Sequence, residues 1–485
     1  MTPSPTGRFR TLAVVALAIV TVSACSSSST PSPIASAPVA SAPVAGTPAP
    51  AATPTPATTP KPVTITVCSL LPGSTQSAFD AFNLRVDEFE AQYPWITVQG
   101  QEYQWLATTF TAQLAAGTLP DVFTIPFTDG KGLIAQQQIV NIDSRVRALP
   151  DADQLNPNLL VNGQDSSGKI FAVPTAAYGM SLTYNRTLFT QAGLDPDKPP
   201  TTWDDVRADA QAIAQKDKVA GFAQMATQNT GGWQLSTLTY ALGGRMESVG
   251  SDGKVTATVN NQYTIAALQW LQQLRWTDAS MGSTFDYNWS SINQAFAAGQ
   301  IGMFLGGSDL YTTLIQNDNL NPADYGITTV PLASVSTAAL MGGGTLAAVN
   351  VNTTEAQRDA AVDWINYYYL GDMTNQNDAV ANAKALQANK QPIGVPALPI
   401  FTKAIYDQDQ TWIASYINVP TAQMAPFMNS IFTQPLDSEP VASTQTLYSL
   451  LDPVVQAVLT NKNANITSLL NAANTQVQAA IDKGE

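Results

Sequence analysis

Three acids stand where a two-carboxylate hydrolysis could be assembled: Asp129 in "PFTDGK", Asp286 in "TFDYNW" and Asp309 in "GGSDLY". A glycosidase needs one protonated and one ionised carboxyl on either side of the scissile bond. Other catalytic options are closed by composition. The 485 residues contain no histidine, which removes imidazole-based serine and cysteine triads and the commonest zinc ligand. No metal or cofactor is expected. "SSGK" at Ser166–Lys169 has the SxxK spacing of penicillin-interacting enzymes, but it precedes the strand-like "IFAVP", so no helix would project Ser166 beside Lys169. "GGGTLA" at Gly342–Ala347 loosely fits a dinucleotide fingerprint, yet "TLAAVNV" reads as a strand where that site requires a helix. Cys68, inside the strand-like "VTITVCSLL", reads as a small core hydrophobe.

Around these candidates the chain is acidic: 36 Asp and Glu against 22 Lys and Arg give a formal charge of −14. Nucleic acids and anionic lipid surfaces are disfavoured as partners. Two cysteines exclude a disulfide framework. The N-terminus has the build of a secretory signal, with Arg8 and Arg10 ahead of an apolar run, Leu12–Ala24, too short to span a bilayer. "VSAC" then resembles the lipobox of bacterial lipoproteins, which implies that residues 1–25 are a leader whose Cys25 carries lipid. Residues 26–62 hold ten prolines and no aromatic or acidic residue. Such a stretch buries no core and reads as a disordered, semi-rigid tether.

From Val63 onward, strand and helix periodicities alternate. "VTITVCSLL", "ITVQGQEY" and "DVFTIP" read as strands separated by helices over Gln76–Tyr93 and Trp105–Ala116, an order that demands a parallel sheet with covering helices. Gly117 and Pro120 stop the second helix, and Thr202 with Asp205 in "TTWDDV" forms a helix-entry box. The remaining length exceeds one core.

The blocks "LAAGTLPDVFTIP", "KIFAVPTAAYGMSLTYNRTLFTQAGLDPDKPPTTWDDV", "AFAAGQIGMFLGGSDL", "YGITTVPL" with "GGGTLAAVN", "AAVDWINYYYL" and "QPIGVPALPI" occur in this order. Together they resemble the carbohydrate-type extracellular solute-binding proteins of ABC importers, the group that includes maltose-binding protein. The resemblance implies an α/β, two-lobed periplasmic-binding-protein-like fold of type II. Three interlobe crossings are expected near Val173–Ala177, Val330–Ala333 and Asn389–Pro399. The first lobe would take 63–175 and 332–392, and the second 176–331 and 393–485. Function would be binding rather than catalysis. A monomer anchored outside the bacterial cell membrane by lipid alone would pass a sugar to an ABC permease.

Sugar recognition calls for flat aromatic faces and a few fixed polar groups, and such aromatics are expected in loops. In the maltose-binding pattern Trp233 falls at a stacking position, Tyr178 where an acid binds hydroxyls, and Asp309 where a tryptophan stacks. Leu71 lies in a first loop that has lost its charged pair. Phe127, Thr128 and Asp129 follow a strand end in a presumed loop, and Gly343 and Gly344 would admit backbone amides to the ligand. Trp105, Trp289 and Trp412 complete the candidates; Trp270, Trp364, Tyr367 and Tyr368 read as packing. The rival readings are the hydrolase above, lipid-anchored, and a sensor or adhesin without an importer.

Overall fold

The computed structural model describes residues 61–250 and 253–484. The leader-like segment with Cys25 and nearly all of the tether lie outside the described residues. Three strands open the fold: β1 (Val63–Cys68), β2 (Ile96–Gln101) and β3 (Val122–Pro126). β1 pairs in parallel with both others, as the strand–helix–strand pattern requires. The helices Gln76–Gln92 and Ala107–Ala116 make the crossovers, and Gly117 ends the second at φ 66° with its N–H on Gln113 O. Asp121 then locks β3 to β1: its carboxylate accepts from Thr66 N at 2.8 Å and its N–H donates to Thr66 Oγ1 at 2.9 Å.

β4 (Ala172–Asn185) is 14 residues long and runs through the middle of a nine-stranded sheet. It is joined by β5 (Ala220–Phe222), β8 (Ile301–Gly307), β9 (Tyr325–Thr329), β10 (Leu340–Val349) and β11 (Leu436–Ser438), while β6 (Glu247–Val249) and β7 (Val255–Ala257) form a separate pair. The main order is β2-β1-β3-β10-β4-β8-β5, with β11 on β10 and β9 on β4. The Ala172–Gly179 half of β4 runs antiparallel to β10, and the Met180–Asn185 half antiparallel to β8 and β9. The sheet is therefore mixed beyond its three parallel strands.

Two lobes follow from where these strands bury their side chains. Ala172, Val173 and Ala177 of β4 and Leu346–Val349 of β10 belong to the core that holds β1, β2 and β3. Further along, Met180, Leu182 and Tyr184 of β4 and Leu340 and Met341 of β10 belong to a second core. That core is closed by the helices Trp203–Asp217, Gln262–Trp276, Thr444–Thr460 and Ile466–Lys483. The first of these enters through the expected box, in which Asp205 N donates to Thr202 Oγ1 and the Asp205 carboxylate accepts from Thr202 N. The helix Lys403–Ile413 packs on Gly371–Thr374 and Gln376–Ala388. The stretch after 393, assigned from sequence to the second lobe, thus begins with a helix seated on the first.

Two local departures from the sequence reading matter for the site. The residues after "DVFTIP" are not a loop, because a helix, Phe127–Ala135, starts directly after Pro126. "AAVDWINYYYL" is not one regular helix either: Glu355–Ile365 widens into a π-turn over Asn366–Leu370. That turn spreads three consecutive tyrosines. Tyr367 donates to Glu88 Oε2 at 2.9 Å, Tyr368 stacks on Trp364 at 4.8 Å, and the Tyr369 hydroxyl lies 3.1 Å from Cys68 Sγ. Cys68 is buried, and burial raises its thiol pKa, consistent with a packing role.

Trp364 is the keystone of the first core, fully buried with its ring against Phe82, Phe89 and Tyr368. Trp364→Ala should cost about 3–5 kcal/mol, read as a lowered urea midpoint. A midpoint unchanged from wild type would contradict this packing account.

Candidate ligand-binding cleft

Between the cores lies a cavity of about 560 Å³. One wall comes from the strands that traverse both lobes. The β4–β10 register slips by one residue where Thr345 faces Ala176 but Leu346 faces Pro174, leaving Thr175 as the extra residue of a bulge. Thr175 is thereby turned to line the cavity, and its hydroxyl donates to Thr345 O at 3.2 Å. The opposite wall is the helix Lys403–Ile413, whose Ile405, Tyr406, Asp409, Gln410 and Ile413 face inward at helical spacing. Leu398, Ile400 and Phe401 form an apolar floor.

Of the residues nominated from sequence, Tyr178, Asp309 and Gly344 line this cavity. Tyr178 is held rigidly. Its hydroxyl donates to Glu439 Oε2 at 3.2 Å, while Tyr448 donates to Oε1 of the same carboxylate at 3.0 Å. Trp233 packs edge-on against Tyr178 at 6.3 Å and against Trp289 at 5.8 Å. Burial raises the Glu439 carboxyl pKa, opposed by hydrogen bonds from Tyr448, Tyr178 and Trp233. Asp309 is reached by water yet flanked by protein, and the loss of solvent raises its carboxyl too.

Both nominated glycines act by omission of a side chain. A Cβ on Gly343 would lie 2.5 Å from Glu439 Oε2 and from the Tyr178 hydroxyl, so glycine is what lets acid and phenol meet. A Cβ on Gly344 would strike the Phe127 ring at 2.7 Å. Their backbones stand in the β4–β10 ladder opposite Tyr178 and Ala177. Phe127 itself is buried in the first core. Thr128 donates to Asp129 Oδ2 at 2.9 Å in the first turn of the new helix, and burial pushes Asp129 up to about 6.

The remaining nominees lie elsewhere. Leu71 is exposed and borders a second cavity of about 290 Å³ with Cys68, Tyr103 and Tyr369. Trp105 packs on the first core. Trp412 is half-buried on the helix that lines the cavity but does not line it. The expected loop aromatics are thus in helices: Trp233 in the first turn of Thr230–Leu242, Trp289 at the start of Trp289–Ala297, and Trp412 in Lys403–Ile413. Sequence reasoning missed Glu439, Tyr448, Tyr406, Asp409 and Gln410. For the last three a signal existed, since an aromatic, an acid and an amide recur on one face of an otherwise amphipathic helix. Among the described residues no group of three His, Cys, Asp or Glu could hold a metal ion, and no helix is long and apolar enough to cross a membrane.

A two-lobed α/β frame with a cavity between its cores is the architecture of a solute receptor. Residues 72–374 match the family model described as bacterial extracellular solute-binding protein, and the chain belongs to that family. It is 30% identical over 159 residues to the melibiose/raffinose/stachyose-binding protein MelE of Bacillus subtilis, which covers 32% of this chain and 34% of that relative. The chain thus spans about a third of the length of the curated relatives it matches. Among solved structures, the cyclic alpha-maltosyl-1,6-maltose binding protein from Arthrobacter globiformis superposes with a TM-score of 0.67 at 22% identity, covering 87% of this chain and 100% of that one. UgpB from Mycobacterium tuberculosis, in complex with glycerophosphocholine, gives 0.64 at 17% identity, covering 87% and 98%. At such identities these structures attest the fold alone. The family and these relatives are substrate-binding proteins, not enzymes; of the acids weighed for hydrolysis, Asp309 lines the cavity and Asp129 does not. Asp286 is exposed and does not line the cavity.

The raised Asp129 predicts a signed effect. Ionising it in the folded protein costs stability above its folded pKa of about 6, and the penalty vanishes below the ordinary 3.8. Asp129→Asn should therefore melt higher than wild type at about pH 8, with the gap closing as pH falls through that window. A pH-independent gap would refute the assignment.

Proposed function

We propose that this protein captures a sugar or polyol-like solute between its lobes outside the cell membrane and delivers it to an ABC permease. The carrying observation is the make-up of the cavity. Two tyrosine faces, Tyr178 and Tyr406, stand among the hydrogen-bonding groups of Thr175, Asp309, Asp409 and Gln410 over an apolar floor. Sugars present the same alternation of C–H faces and hydroxyl edges. The family, and relatives named for oligosaccharide ligands, support the reading.

In this proposal the first lobe is built from about 63–175 and 332–392 with the helix Lys403–Ile413 riding on it, and the second from 176–331 and the C-terminal helices. Closure would bend β4 and β10, which run through both cores. Trp233 serves as a support for Tyr178 rather than as the stacking face itself, and Phe127, Gly343 and Gly344 as packing around the strands. A lipid on Cys25 would hold the receptor at the membrane, with 26–62 as its leash and no other membrane contact.

Calorimetric titration over a library of sugars and polyols tests the ligand class. A hit is expected in the micromolar range, about −8 kcal/mol, accompanied by a change in tryptophan fluorescence because Trp233 touches Tyr178. Tyr406→Ala should weaken that hit at least about tenfold, near 1.4 kcal/mol, whereas Trp105→Ala should leave it within about twofold. A library without hits, or equal losses in both variants, would reject the reading. Cys25→Ala should move the protein from the membrane fraction to the medium; unchanged membrane retention would reject the anchor.

A further inference from the structure

The cavity contains charge of one sign only. Among the described residues Asp309 and Asp409 line it, and no Lys or Arg does. The two acids come from opposite sides of the gap. Asp309 follows β8, whose Met303 and Leu305 lie in the second core, and Asp409 sits on the helix packed against Gly371–Thr374 and Gln376–Ala388 of the first lobe. Closing the lobes on a neutral solute would bring two carboxylates together in a drying space, which disfavours closure.

Each acid also stands beside a tyrosine. A Cβ on Gly307 would lie 2.6 Å from Asp309 Oδ1 and 3.4 Å from the Tyr178 ring, so that glycine brings the two side chains together. Tyr406 precedes Asp409 by one helical turn; burial is the main cause of both raised phenol pKa values, with Glu439 and then Asp309 adding to Tyr178 and Asp409 to Tyr406. A carboxylate next to an aromatic face is half of a cation seat, and here one half stands on each wall. Protein groups leave both acids with little compensation. Asp409 Oδ2 accepts from Gln410 Nε2 at 3.2 Å, and the acid behind it, Asp372, is itself hydrogen-bonded to Asn382 at 3.0 Å. Burial pushes Asp409 up to about 6, with the hydrogen bond from Gln410 acting against it and the nearby Asp372 adding to it.

We infer that the solute bears a positively charged nitrogen, held between Asp309 and Asp409 and faced by Tyr178 and Tyr406. The inference rests on the carbohydrate reading for the rest of the ligand, which makes the solute class an amine-bearing sugar or polyol. Phosphorylated solutes are rejected by the same two carboxylates.

Matched pairs test it: the alditols of glucose, maltose and melibiose against their 1-amino-1-deoxy counterparts, titrated calorimetrically into the full-length protein at low and high sodium chloride. Sorbitol 6-phosphate, choline and calcium chloride complete the panel. The amine of at least one pair should bind tenfold or more tighter than its alditol, and the advantage should shrink with salt. In Asp309→Asn and Asp409→Asn the amine-to-alditol ratio should fall toward one, with a cooperative transition at or above the wild-type melting temperature confirming that the variants are folded. Equal affinities within every pair, a better phosphate ester, or calcium binding that equalises the pairs would each overturn the charge inference while leaving the sugar reading intact. Choline binding without any carbohydrate would instead retain the cation seat and overturn the sugar reading. Silence across the whole panel would overturn both.

Discussion

The ladder between Ala172–Gly179 of one long strand and the glycine-rich start of its antiparallel neighbour is the contact on which the molecule depends. Both strands leave one hydrophobic core and enter the other, and they stay paired on either side of a single register slip. The crossing is therefore carried by sheet, whose backbone groups find partners in the neighbouring strand. The ladder is irregular at Thr175, and that single extra residue lines the cavity while its hydroxyl donates to Thr345 O. The strands that join the cores thus also form a wall of the cleft.

Glycine content allows the rest of the wall to form. With Gly343 opposite Tyr178, the phenol reaches Glu439, and the carboxylate collects a second phenol from Tyr448. This buried acid has its donors supplied by the protein and is spoken for. Asp309 and Asp409 differ: they face the cavity and draw little from their neighbours. The contrast is between an acid under the wall that collects two phenols and two acids on the wall that face open space.

The Lys403–Ile413 helix gives the cleft its asymmetry. One face packs on first-lobe helices while Tyr406 meets the Phe432 ring at 5.5 Å. Its inward face mixes Ile405 and Ile413 with Asp409 and Gln410, a surface suited to a solute with both apolar and polar edges.

Local periodicity was enough to read β1, β2 and β3, the helices between them, the Gly117 stop and the Thr202–Asp205 entry, because each depends on residues within a turn or two of one another. Composition alone dismissed imidazole chemistry, and the order of motifs pointed to the family. Tyr178 and Asp309 were legible as cleft residues from that likeness. What failed was the assignment of side chains to loops: Phe127 looked free after a strand end, but its ring fills the space that Gly344 vacates 217 positions later in the chain. Glu439 carried no signal at all, since an acid before a proline is ordinary until Tyr178 and Tyr448 arrive beside it. The chain by itself settled its elements and kinship, which are short-range or cumulative properties. Only tertiary structure decided which acids are paired and which line the cavity, because that is set by partners hundreds of residues apart, brought together by two strands shared between cores.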